Sequence, residues 1–121
     1  MPIFDIEIAT RHGEALAPGL AADLADALGA VMGAAPGKVW VRLRDLAPER
    51  YAENGRDPDR PFPVFVTLVA SAPPQGEHLD HVAAQVAEAV AHLTDRAPES
   101  VHLLVEPAAK GRIAFGGKVA R

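Results

Sequence analysis

Hydrophobic and polar positions alternate at the very start of the chain: Phe4, Ile6 and Ile8 are separated by Asp5 and Glu7, the period of two that marks a half-buried strand. Pro2 stands where that strand begins, a position that tolerates a missing N–H. The period then changes. Leu16, Leu20, Leu24, Leu28 and Val31 recur at helical spacing, with Asp23 and Asp26 off the stripe, which predicts an amphipathic helix with Pro18 in its first turn. Gly33 and Pro36 end it. Alternation returns in Val39-Trp40-Val41-Arg42-Leu43-Arg44, a second strand. Residues 56–62, rich in proline and aspartate, read as a connection.

The pattern then repeats. Pro2-Ile3-Phe4 returns 61 positions later as Pro63-Val64-Phe65. Leu20, Leu24, Leu28 and Val31 return 62 positions later as Val82, Val86, Val90 and Leu93, and Val39 and Gly55 return at the same offset as Val101 and Gly117. The one-residue change is expected in the strand-to-helix loop. The chain is therefore expected to be a single domain of two pseudo-repeats, β-α-β over 1–55 and 63–121, joined by a linker at 56–62. Parallel pairing within each unit gives an α+β fold, a four-stranded mixed sheet with two helices on one face. Alternation puts Phe4, Ile6, Ile8, Val39, Val41, Leu43, Phe65, Val69, Val101, Leu103 and Val105 under the helices. It leaves Trp40, Val64, Val66, Leu68 and Leu104, with charges of both signs, on the other face. So large an apolar surface calls for cover by another subunit.

Composition narrows the chemistry. With 49% hydrophobic residues and a net charge of −4, the chain reads as globular and carries no nucleic-acid footprint. It has no cysteine, so thiolate catalysis and disulfides are excluded. No apolar run suggests a membrane span and no leader pattern opens the sequence, so a cytoplasmic location is expected. His78 and His81, three apart on the second helix, read as a solvated face rather than a metal site, and Gly116-Gly117 reads as a turn.

Loss of Met1 before Pro2 would leave a secondary amine at a strand start. Such an amine becomes a general base near neutral pH when burial or cations lower its pKa. With the Met1-Pro2-Ile3 start and the tandem units, the sequence resembles the tautomerase superfamily in its fused form, and most of all 4-oxalocrotonate tautomerase-like proteins. The resemblance implies a cofactor-independent keto–enol tautomerase, an isomerase of small 2-oxo or 2-hydroxy-enoate acids, with Pro2 as general base or acid and a homotrimeric assembly. It also implies Arg11 as a loop arginine near Pro2 and Tyr51 as an aromatic bordering the site, or a packing residue. The family's carboxylate-binding arginine falls at Trp40, which offers an apolar wall or fills a subunit interface. Arg42 and Arg44, on the same face, either bind a substrate carboxylate or pair with Asp5 and Glu7. The loop Ala70-Ser71-Ala72-Pro73-Pro74 lacks the arginines of the dehalogenase and decarboxylase relatives and disfavours those activities. Two other readings share the element order: a ferredoxin-like small-molecule-binding module and a degenerate trimeric scaffold.

Overall fold

The structure, a computed structural model, describes residues 1–55 and 62–121. The linker predicted at 56–62 therefore lies, but for Phe62, outside the described residues. Strand β1 (Ile3–Ala9) leads to helix α1 (Leu20–Met32) and strand β2 (Trp40–Leu46); β3 (Val64–Val69), α2 (Gly76–Thr94) and β4 (Val101–Val105) repeat that order, and a short hairpin, β5 (Ala114–Phe115) and β6 (Lys118–Val119), follows. The sheet order is β2-β1-β3-β4. β1 pairs in parallel with β2, β3 in parallel with β4, and β1 antiparallel with β3, making the mixed sheet that the repeats predict. Since β1 and β2 are adjacent, the split pairing of a ferredoxin-like module is excluded.

Leu20, Leu24 and Leu28 form the buried stripe of α1, and Val82, Val86 and Val90 that of α2. They close over Phe4, Ile6 and Ile8, all fully shielded from solvent. Each such side chain contributes about 1.5–3 kcal/mol of burial, so this layer holds the fold together. Helix α1 starts after Gly19, one turn later than the apolar stripe suggests. Pro18 thus precedes the helix instead of occupying its first turn, while Leu16 packs on the core from the loop. Gly33 ends the helix at φ 62°, a left-handed conformation that glycine adopts without strain.

Strand β3 corrects the face assignment. Val64, Val66 and Leu68 are buried under the helices, and Phe65 is 40% exposed on the opposite face. The antiparallel register explains it: Leu68 lies opposite Phe4, Val66 opposite Ile6 and Val64 opposite Ile8, and directly opposed residues share a face. The repeat offset is accordingly 62 in this strand as well. Ile3 pairs with Trp40 in the first unit as Phe65 pairs with His102 in the second. Val64, not Pro63, is the counterpart of Pro2. The approximate two-fold axis passes between Asp5 and Thr67, which face each other across β1 and β3. The open face therefore exposes Trp40, Phe65 and Leu104 as its large apolar side chains. Among the described residues no helix is long and apolar enough to cross a membrane.

Candidate active site

The two-fold axis places two equivalent strand starts at opposite ends of the sheet. At the first, Pro2 is half-buried and its carbonyl accepts the backbone N–H of Trp40 at 3.1 Å, fixing the end of β1 against β2. Ile3 lies beside Trp40 in the ladder. The indole meets Phe115 edge-on with ring centroids 5.6 Å apart, and its Nε1–H donates to the carbonyl of Gly37 at 3.2 Å. Edge-to-face packing of this kind holds both rings in place. Ile3, Trp40 and Phe115 thus form an apolar wall beside Pro2. Phe115 is held by the β5–β6 hairpin, whose turn residues Gly116 and Gly117 have φ of 59° and 85°, the pair of positive values that a tight two-residue hairpin turn demands.

The cations are disposed differently from the expectation. Arg42 donates to both carboxylate oxygens of Asp5, at 2.6 and 2.8 Å. That bond holds the Asp5 carboxyl below its ordinary range and raises the Arg42 guanidinium, while burial of Asp5 works against it. Arg44 stands 4.0 Å from Glu7, a looser pair. Both arginines are thus engaged by the neighbouring strand, the structural of the two alternatives.

Arg11 is not beside Pro2. It follows the far end of β1, about 25–30 Å away at ~3.3 Å per extended residue. There it pairs with Glu14 at 3.3 Å and donates to the carbonyl of Asp95 at 2.8 Å. Tyr51 also lies at that end, since β2 runs parallel to β1; its ring neighbours Phe62 and Phe65, and its hydroxyl donates to Glu53. Of the residues singled out from the sequence, one protomer brings together Pro2, Trp40 and Arg42, with Arg44 further along the same face and Arg11 and Tyr51 at the other end.

Two residues were missed. Phe115 completes the wall, and its signal is its place two before Gly117, the counterpart of Glu53 before Gly55. Arg112 lines a cleft of about 500 Å³ with Asp5, Thr67, Val69 and Glu106, and its guanidinium makes no ion pair among the described residues. The sequence marks it only as a charge near the Gly-Gly turn. Among the described residues no group of three or more histidines and carboxylates is placed to hold a metal ion.

No family model and no curated protein matches the sequence. Solved structures do. Native fused 4-OT superposes with a TM-score of 0.77 at 20% identity, covering 98% of this chain and 95% of that one. The chain has the fold of the tautomerase superfamily. A second fused 4-OT, described as a wild-type symmetric trimer, gives a TM-score of 0.75 at 16% identity over 98% of this chain and 94% of its own. MIF2 of Leishmania major gives 0.75 at 13%, covering 98% and 97%. In all of these the tautomerase fold is matched over nearly the whole length, both β-α-β units included.

Proposed function

We propose that this protein is a cofactor-independent keto–enol tautomerase acting on a small 2-oxo or 2-hydroxy-enoate monocarboxylate, with Pro2, once Met1 is removed, as the proton carrier. The observation that carries this reading is the placement of Pro2 at a fixed, half-buried strand start beside the Ile3–Trp40–Phe115 wall. In the ketonisation direction the neutral amine takes the enol O–H proton and the resulting pyrrolidinium returns it to carbon. The apolar wall lowers the cost of the neutral amine and packs the body of the substrate.

A carboxylate needs a cation, and Arg42 is held by Asp5. Arg11 serves only when a second copy brings it to Pro2, so the proposal includes a homotrimer, supported by the apolar residues on the open face and by the trimeric relative. A soluble, cytoplasmic enzyme fits the composition. The test is intact mass, to establish loss of Met1, followed by turnover of phenylenolpyruvate by wild type and Pro2→Ala.

A second reading, a trimeric scaffold without activity, is favoured by one observation: tryptophan stands at the family's arginine position and Arg42 is engaged by Asp5. Wild type lacking Met1 that leaves the enol unconverted would establish it.

A further inference from the structure

Residues 106–115 cross the sheet at its Pro2 end. The backbone N–H groups of Glu106, Ala109 and Lys110 donate to the carbonyls of Leu68, Ala70 and Ser71 at 2.9, 3.0 and 3.2 Å, which fixes the start of this segment beside the end of β3. Its far end, Phe115, packs on Trp40 at the start of β2. Since β1 lies between β2 and β3, the segment passes over the first residues of β1. Between segment and sheet is the cleft of about 500 Å³, within the range of small-molecule sites. The sheet contributes Asp5, Thr67 and Val69 to it, and the segment Glu106, Arg112 and Ile113. Val69 stands opposite Ile3, so the cleft adjoins Pro2. The chain's own C-terminal segment covers this part of the sheet, apart from the exposed surface at Phe65 and Leu104.

Three charged side chains line the cleft. Asp5 is neutralised by Arg42. Glu106 and Arg112 have no side-chain partner among the described residues. The strand ends on either side of residues 56–61 belong to the opposite end of the sheet, where Leu46 pairs with Ala9 and Val64 with Ile8. Residues 107–121 also bring Lys110, Lys118 and Arg121 and no acidic side chain, and a segment of one sign raises the local concentration of anions. A guanidinium with its fork of donors unused takes a carboxylate through two parallel bonds. We propose that Arg112 holds the substrate carboxylate in the Pro2 site, from within the same protomer and with no residue of a second copy. The proposal rests on the reading of Pro2 as the proton carrier. Glu106, of like charge to the ligand, drives the carboxylate to the Arg112 side of the cleft.

The probe is 3-phenylpropionate, an unreactive acid, with 3-phenylpropanamide as the uncharged control. Calorimetric titration of the wild-type protein should show saturable binding of the acid. Arg112→Gln, at an exposed position, should weaken the acid by about tenfold to a hundredfold, and Arg112→Lys should restore part of the loss. Glu106→Gln should tighten it by about threefold. Affinity for the amide should follow none of these changes. With phenylenolpyruvate, Arg112→Gln should raise KM by the same factor as the loss of acid binding, with circular dichroism and sedimentation as in wild type. Pro2→Ala should bind the acid as wild type does; if it also turns over the enol undiminished, the reading of Pro2 is wrong while the carboxylate site stands. Failure of wild type to bind the acid at millimolar concentration overturns the proposal. So does equal weakening of acid and amide by Arg112→Gln, or acid binding indifferent to it. Dissociation of the assembly by Arg112→Gln makes Arg112 an interface residue and overturns the proposal as well.

Discussion

The Arg96 guanidinium, fully shielded from solvent, holds both carboxylate oxygens of Glu14 at 2.8 Å. Its remaining N–H groups donate to the carbonyls of Ala9, Phe62 and Thr94, so all five are satisfied. One side chain thereby ties the end of β1, the entry to β3 and the end of α2 to the loop before α1. Asp95, whose φ of 57° is left-handed, turns the chain so that Arg96 points inward.

Glu14→Gln leaves that buried cation without its counter-charge and should lower stability by on the order of 3 kcal/mol. The Arg96 bonds hold the Glu14 carboxyl at about 2, below its ordinary 4.5. Its folded value is depressed, so the contribution is complete above pH 4.5 and fades as pH falls toward 2. Urea unfolding of both proteins at neutral and acid pH should show the gap between them closing below that value. An equal gap at both extremes contradicts the assignment.

Pro2→Ala removes the constrained secondary amine while keeping the sheet. Turnover of phenylenolpyruvate should fall by about 10²–10⁴-fold, the usual worth of a positioned proton carrier, with the melting temperature unchanged. Undiminished turnover removes Pro2 from the mechanism.

Asp5→Asn releases Arg42 from its carboxylate partner. The freed guanidinium lies on the same face as Trp40, so KM for carboxylate substrates should drop severalfold while kcat holds. The exposed position of Arg42 predicts little change in melting temperature. A raised KM would show that Asp5 itself, or the pair as a unit, positions the substrate.

An indole has one N–H donor and no charge, and that of Trp40 is already given to Gly37. A monocarboxylate such as phenylpyruvate should therefore be preferred to a dicarboxylate such as 2-hydroxymuconate, and Trp40→Arg should narrow the difference. Comparing kcat/KM for the two substrates in both proteins decides it. A wild-type preference for the dicarboxylate means the wall does not face the substrate.

Trp40, Phe65 and Leu104 leave apolar surface on the open face, with Leu104 60% exposed on an edge strand. Sedimentation at micromolar concentration should find a homotrimer, and Leu104→Glu should weaken it. A stable wild-type monomer contradicts the assembly.

The element order and the helix stripes were legible because Leu20, Leu24 and Leu28 and their counterparts repeat at helical spacing between polar residues. The phase of β3 was not. Val64 to Val69 is apolar at nearly every position, so both faces look like a core face, and a one-residue slip exchanges them. Matching Pro63 to Pro2 made that slip; Thr67, the one polar residue of the strand, marked the correct phase. In the site, the strand start was legible, but the ends to which loop residues belong were missed. Seven residues of extended chain carry Arg11 away from Pro2, and the parallel course of β2 carries Tyr51 with it.

Val64, the counterpart of Pro2, follows Pro63 through an ordinary peptide link, and the Pro63 carbonyl accepts the N–H of Ala9 at 3.0 Å. Joining two units in one polypeptide therefore silences one of every two amines that separate units would carry. The two ends are lined differently: Glu53 stands where the other has Phe115, and Ser100 where it has Lys38. Under the proposed mechanism one chain carries a single reactive end, and the opposite end of the same sheet is left open to another use.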